Sequence, residues 1–225
     1  MTVSQAGFPP GFGPHWLVSS QMRNQGDVVT FYSYKGGTGR SMALVNCAGL
    51  IAQHLPDETK PILLIDFDLE APGLHRYLEP YLAPKDEWAE RPGTLELVEK
   101  LAAAVESRLA SETNTLEDGD PRLDDETTAK IVDDIDLSGF LLNTTMSRLI
   151  LIKAGCFNED YDRRVSRFDW EKLFRKAPAL FRCMGERFAR EYSFAFVDSR
   201  TGISDTTGIC TMLLPDVAGH GIHAE

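Results

Sequence analysis

A short glycine-rich stretch near the start of the chain has the residue types of a phosphate-binding loop. Residues 35–42 read KGGTGRSM, and glycine can take the positive φ angles that let the backbone lie close to a ligand. Successive N–H groups of such a loop can surround a phosphate oxygen, and the positive end of a following helix adds to the attraction. Ser41, at the first turn of that helix, has a hydroxyl of the kind that binds Mg²⁺. The stretch therefore predicts a nucleotide site.

Arg40 stands where the common loop G-x-x-x-x-G-K-[ST] has lysine. Its guanidinium keeps the positive charge and adds a planar fork of donors, so it can still pair with β- and γ-phosphate oxygens. The substitution therefore bears on the rate of hydrolysis more than on binding. The alternative is a glycine-rich turn without a ligand, which the spacing and the strand-to-helix context make less favourable.

Acidic residues end two apolar runs further along the chain. The run ILLID at 62–66 continues as FDLE, which places Asp66 and Asp68 at the end of a strand of the buried, parallel type. A carboxylate there lies in the crevice where phosphates bind, although a capped strand end is the alternative. The run SFAFVD ends in Asp198, where a carboxylate can hold Mg²⁺ through water. For Arg200 we expect a local carboxylate as partner, rather than phosphate or a second subunit.

The elements that must position these residues alternate between strand and helix. We predict strands at 27–33, 62–66, 149–153 and 193–198, and helices from Ser41 to about His54, around Leu97 to Leu109 and over 170–192. The order strand, glycine loop, helix, strand is a βαβ unit. The predicted fold class is therefore α/β, with a doubly wound, mostly parallel sheet.

The chain is expected to form one domain over residues 27–216. A leader rich in glycine and proline, 1–26, is expected to be flexible, and an acidic insertion at about 111–130 is expected to be a solvated loop. After residue 216 a doubly wound domain would add another strand, but 217–225 is interpreted as an irregular tail. We therefore expect a fold that is either unusually short or truncated at its C-terminus.

The composition argues against several classes of function. A net charge of -11 over 225 residues disfavours a direct nucleic-acid footprint, because such binding needs clustered Lys and Arg. The four cysteines and five histidines show no ligand spacing, so Mg²⁺ is the only metal expected and the thiols are interpreted as reduced. No apolar run approaches the length of a membrane span. We expect a cytoplasmic protein.

The stretch KGGTGRS resembles the deviant phosphate loop KGGxGK[ST] of the ParA/MinD-type ATPases, and its arginine is similar to the KGGVGR branch of that group. The group comprises the CobQ/CobB/MinD/ParA nucleotide-binding domains, which are P-loop NTPases of the SIMIBI type. Lys35 matches the signature lysine, which the resemblance implies reaches the partner subunit's nucleotide in an ATP-dependent dimer. By the same resemblance Asp68 orients the attacking water, and Asp66 and Asp198 support Mg²⁺ through water.

These residues define the predicted site and its cofactors, ATP and Mg²⁺. The catalytic set is Lys35, Arg40 and Asp68, and the metal set is Ser41, Asp66 and Asp198; the nucleotide-binding set is Lys35, Gly36, Gly37, Thr38, Gly39, Arg40, Ser41 and Met42. The expected activity is slow ATP hydrolysis coupled to a contact with a second copy or a fused or partner module. One alternative is a nucleotide sensor that does not hydrolyse. Another is a bacterial tyrosine kinase-like domain, since LLIDFDLEAP also resembles those proteins, although no tyrosine-rich tail supports it.

Overall fold

The computed structural model describes residues 25–56, 58–111, 121–146, 148–201, 209, 214 and, as backbone, 217–220. The strands are β1 Asp27–Tyr32, β2 Ile62–Asp66, β3 Leu142–Asn143, β4 Leu149–Ile152, β5 Phe194–Asp198 and β6 Val217–His220. The helices are α1 Arg40–His54, α2 Leu74–Leu78, α3 Lys85–Trp88, α4 Thr94–Ser111, α5 Asp125–Asp134, α6 Tyr161–Arg167, α7 Trp170–Lys176 and α8 Leu180–Glu191, with a 3₁₀ turn at Glu79–Tyr81. None of these helices is long and apolar enough to cross a bilayer.

The strands form one sheet in the order β3-β4-β2-β5-β1-β6. Every neighbouring pair is parallel except β3 and β4. Strands β2 and β5 are buried along their whole length, which is why their sequences are continuous apolar runs. The carboxyl ends of β1, β2 and β5 therefore lie at one edge of the sheet, with β5 between the other two.

Alternate side chains of each strand enter two separate cores. On one face Ile62 and Leu64 pack with Leu44 and Ala48 of α1 and with residues of α2 and α3. On the other face the remaining β2 side chains join a larger core with α4, α5, α7 and α8. The chain is thus a three-layer arrangement of helices, sheet and helices, which confirms the predicted doubly wound α/β class.

Two predicted elements differ from the structure. The single helix predicted over 170–192 is broken into α7 and α8, because the residue before Pro178 is disfavoured in helical conformation and Ala177 takes φ -141°. The acidic insertion is not a loop throughout: 112–120 lies outside the described residues, but α5 occupies Asp125–Asp134. Asp124 caps this helix by accepting from the Thr127 N–H at 2.7 Å, and Val132 lies in the core.

The ends of the chain also depart in part from expectation. Residues 1–24 of the predicted leader, and 221–225 of the predicted irregular tail, lie outside the described residues. Val217–His220 is not irregular, because it pairs in parallel with β1, from Val29 opposite Val217 to Tyr32 opposite His220. The further strand that the sequence was expected to lack is thus present. The proposed limits of the domain, 27–216, stay a prediction.

The backbone at the start of α4 lies very close to the residues that follow β4, and this contact can be tested. The N–H groups of Thr94 and Leu95 donate to the carbonyls of Lys153 and Ala154 at 2.8 and 2.9 Å. A Cβ added at Gly93 would lie 2.1 Å from the Lys153 carbonyl oxygen. Only glycine therefore permits this backbone contact.

We predict that Gly93→Ala lowers the free energy of unfolding by about 1–3 kcal/mol, because the helix must move away from β4. Gly139→Ala is the matched control, since a Cβ there meets nothing within 4 Å. It should change stability by no more than about 0.5 kcal/mol. Urea denaturation of both variants measures the difference, and equal stability would contradict the close packing at Gly93.

Candidate functional site

The loop between β1 and α1 has the backbone of an anion-binding turn. Gly37 and Gly39 have φ angles of 75° and 77°, in the left-handed region where glycine is favoured. Gly39 immediately precedes α1, and no side chain caps that end of the helix. A Cβ at Gly36 or Gly37 would meet nothing within 4 Å, so this part of the loop is open. The N–H groups at the start of the 15-residue helix α1 are therefore available to an anion.

The side chain of Arg40 binds two carboxylates. Its Nε donates to Asp198 Oδ1 at 2.5 Å, and its Nη2 donates to Asp68 Oδ2 at 2.8 Å. The side chains of Arg40 and Asp68 are each 9% exposed, and that of Asp198 is 1% exposed. Burial alone would lower the pKa of Arg40, but the two carboxylates outweigh it and raise the pKa. The guanidinium therefore stays charged.

Ser41 completes the contacts of Asp198. The Ser41 hydroxyl donates to Asp198 Oδ2 at 2.5 Å, so each oxygen of this carboxylate accepts a hydrogen bond from the start of α1. Burial raises the pKa of Asp198, against the opposing effect of Arg40 and Ser41. The structure thus brings together Arg40, Ser41, Asp68 and Asp198 from α1, the end of β5 and the loop after β2.

Asp66 lies beside Asp198 but serves its own loop. The two residues are opposite each other in the parallel ladder of β2 and β5. Asp66 Oδ1 accepts from the Asp68 N–H at 3.3 Å and Oδ2 from the Leu74 N–H at 3.1 Å, so the carboxylate shapes the chain between β2 and α2. Burial, and then the charge of Asp198, hold the pKa of Asp66 well above its usual range. Its visible role is to position Asp68.

The remaining predicted residues lie on the open side of the loop. Lys35 is exposed, and so are Gly36, Gly37 and Thr38. Met42 of α1 is 50% exposed, and Tyr34, which precedes Lys35, is 60% exposed. These residues stay predictions as ligands of a nucleotide.

The loop after β2 makes two further contacts, of which the sequence predicted one. Arg200 pairs with Glu70 of that loop, which confirms the expected local carboxylate. Tyr161 of α6, which was not singled out, donates its hydroxyl proton to the Leu69 carbonyl at 2.9 Å. No local sequence pattern predicts a contact between residues 92 positions apart, so it is seen only in the fold.

The side chains predicted to hold Mg²⁺ do not fit a metal ion as they lie. The oxygens of Asp198 accept from Arg40 and Ser41, and those of Asp66 accept from backbone N–H groups. A guanidinium lies between Asp68 and Asp198, where a cation would bind. Throughout the described part of the chain, no group of three or more His, Cys, Asp or Glu side chains could hold a metal.

Comparison with known proteins supports the fold. No protein-family model matches the sequence, and no curated protein is significantly similar to it. Among solved structures, apo McdA from Cyanothece aligns at 15% identity and TM-score 0.53, over 87% of this chain and 57% of its own. A variant of Cyanothece McdA in complex with ATP aligns at 13% identity and TM-score 0.50, over 87% and 56%.

A third similar structure is the septum site-determining protein MinD from Pyrococcus horikoshii, complexed with Mg-ADP. It aligns at 16% identity and TM-score 0.45, over 88% of this chain and 58% of its own. The present chain therefore spans only 56–58% of the length of these three proteins. The chain shares its mixed α/β fold with the two McdA structures.

The buried ion pairs of Arg40 predict a large effect on stability. Arg40→Ala would leave Asp68 and Asp198 without their cation in a desolvated site, so we expect a loss of about 3–5 kcal/mol in the free energy of unfolding. Arg200→Ala is the control, because its pair with Glu70 is more exposed, and it should cost no more than about 1 kcal/mol. Urea denaturation at neutral pH without nucleotide measures both. Losses of equal size would show that the Arg40 pairs do not stabilise the fold.

Proposed function

We propose that this protein binds ATP at the loop formed by residues 35–42 and hydrolyses it slowly. One observation carries the proposal: Arg40 and Ser41, at the start of α1, converge with Asp68 and Asp198 at the carboxyl edge of β2 and β5. Open glycine backbone, an uncapped helix N-terminus and a fixed positive charge lie together there, and this combination suits a polyphosphate. The choice of adenine rests on the resemblance of the loop to the ParA/MinD-type ATPases.

The residues divide into binding and catalytic roles. The loop N–H groups hold the phosphates, Arg40 supplies positive charge beside them, and Asp68 orients the attacking water. Asp68 Oδ2 accepts from Arg40 at 2.8 Å, and its Oδ1 accepts from the Ala71 N–H at 3.3 Å. Because each oxygen already accepts one hydrogen bond, a water molecule would have to share the carboxylate of Asp68 with Arg40 and the Ala71 N–H. This is the reason to expect slow turnover.

The same contacts favour a second candidate, a nucleotide sensor that binds ATP without hydrolysing it. If the ion pair with Arg40 holds Asp68 away from the position where it would orient the attacking water, the bound nucleotide persists. Binding alone then carries the signal. A tyrosine kinase-like domain has no comparable observation in its favour.

The output of either activity is proposed to be a contact controlled by nucleotide. Lys35 is exposed at the loop, and Tyr34 and Met42, in the same stretch of sequence, are exposed large side chains. A second copy of the chain, or a fused or partner module, could cover these side chains when ATP is bound. The cytoplasm is the compartment that fits such a protein.

Binding is tested by thermal melting with ATP, ADP and GTP in buffer that contains Mg²⁺. A ligand at about a hundred times its dissociation constant adds roughly 2.7 kcal/mol, so ATP should raise the melting temperature clearly. A folded sample that none of the three nucleotides stabilises would falsify the nucleotide site. Phosphate release from ATP then separates the candidates: slow release identifies an ATPase, and bound ATP that is never cleaved identifies a sensor.

The proposed contact is tested at Lys35. We expect Lys35→Ala to retain ATP binding through the loop N–H groups and Arg40, and to lose ATP-dependent dimerisation, because the exposed ammonium would reach the partner's nucleotide. Light scattering of wild type and variant with ATP and with ADP measures this. Lys130→Ala on α5 is a control for removal of a lysine charge. If wild type and Lys35→Ala are both monomeric with ATP, or dimerise alike, Lys35 has no role across a dimer.

A further inference from the structure

Arg40 carries a buried hydrogen-bond donor without a partner. Its Nη1 is inaccessible to solvent and makes no hydrogen bond, whereas Nε and Nη2 are bonded to Asp198 and Asp68. The side chain as a whole is only 9% exposed. A buried donor left unsatisfied is costly and is uncommon in native proteins. Its presence at this position signals an acceptor that the chain itself does not supply.

A phosphate oxygen is the acceptor that best suits this position. Arg40 is the first residue of α1 and follows directly on the glycine loop, whose open backbone favours an anion. The nearest carboxylates are already bonded to the other two nitrogens of the same guanidinium. Arginine pairs well with phosphate because its planar group presents several donors in fixed directions.

A divalent cation in a nucleotide site neutralises carboxylates and connects them to the phosphates. Arg40 has the contacts needed for both tasks. Its charge opposes those of Asp68 and Asp198, and its unused nitrogen can extend the bridge to a third group. Lysine could not do this, because an ammonium is a single point charge rather than a fork.

We propose that Arg40 takes the place of the divalent cation in this site. Asp68 and Asp198 hold the guanidinium, the atoms that cover Nη1 in the protein without nucleotide move aside, Nη1 donates to an oxygen of the terminal phosphate, and ATP binds without Mg²⁺. The loop N–H groups and the start of α1 supply the remaining attraction for the phosphates. This inference rests on the proposed nucleotide site and concerns how that site is neutralised.

The test is the dissociation constant of ATP, measured by calorimetry in EDTA and again in excess Mg²⁺. For the wild-type protein we expect the two constants to agree within about threefold. For Arg40→Lys we expect binding to be weaker in EDTA by about tenfold or more, and restored by Mg²⁺, because the shorter reach of one ammonium leaves a place for the ion. Arg182→Lys is the matched control, and it should behave as the wild type. Arg182 lies on α8 and makes exposed ion pairs with Asp125 of α5 and Glu186 of α8.

The outcomes separate this inference from the proposed function. Wild-type protein that binds ATP only with Mg²⁺ overturns the inference and leaves the nucleotide site standing. Absence of ATP binding in both buffers overturns the proposed function and the inference together. Binding by Arg40→Lys that is as independent of Mg²⁺ as that of wild type shows that Arg40 is not the substitute. If Arg40→Lys does not fold, the wild-type comparison, repeated as thermal melting with ATP in EDTA, still decides.

Discussion

Parallel pairing of β2 and β5 places carboxylates side by side at the edge of the sheet. Asp66 lies opposite Asp198 in the ladder, and Asp68 follows two residues later in the same crevice. Like charges this close cannot all remain ionised in a buried site unless hydrogen bonds and cations offset their repulsion. The backbone N–H groups that bind Asp66, and the guanidinium that binds Asp68 and Asp198, oppose this effect in part. Burial and the neighbouring charges still raise the pKa of Asp66 and Asp198. The local structure around the glycine loop depends on this balance of charges.

Arg40 also joins parts of the fold that are distant in sequence. It begins α1, and its partners lie 28 and 158 positions further along the chain, after β2 and at the end of β5. Leu44 and Ala48 hold the middle of α1 in the core on one face of the sheet. The ion pairs of Arg40 hold the beginning of the same helix. One residue thus couples the loop that would receive phosphate to both acidic strand ends. A change in the anion bound at the loop would therefore change the position of Asp68 through Arg40.

The main features of the fold could be predicted because their signals are local. Continuous apolar runs mark β2 and β5, and the glycine loop between strand and helix marks the start of α1. The break between α7 and α8 was missed, although Pro178 lies within the stretch and disfavours a continuous helix. Helix α5 was missed because most of its residues are polar or acidic, and its buried side chains, Thr128 and Val132, are too few to give a clear apolar pattern. Strand β6 was missed because a segment of four residues has no clear strand pattern of its own, and it is recognised as a strand only by its pairing with β1.

The site shows where reading residue types reaches its limit. The sequence identified every member of the acidic and basic cluster, because strand ends and loop spacing fix which residues share the edge of the sheet. It could not show which groups the Arg40 guanidinium binds, since that depends on side-chain torsions and on what is buried nearby. These contacts matter chemically. A guanidinium held by Asp68 and Asp198 offsets their charges in the site without nucleotide and, on the proposed function, restrains the carboxylate that would orient water. If the proposed function is right, slow turnover or none would follow from the same interaction that keeps the acidic strand ends together.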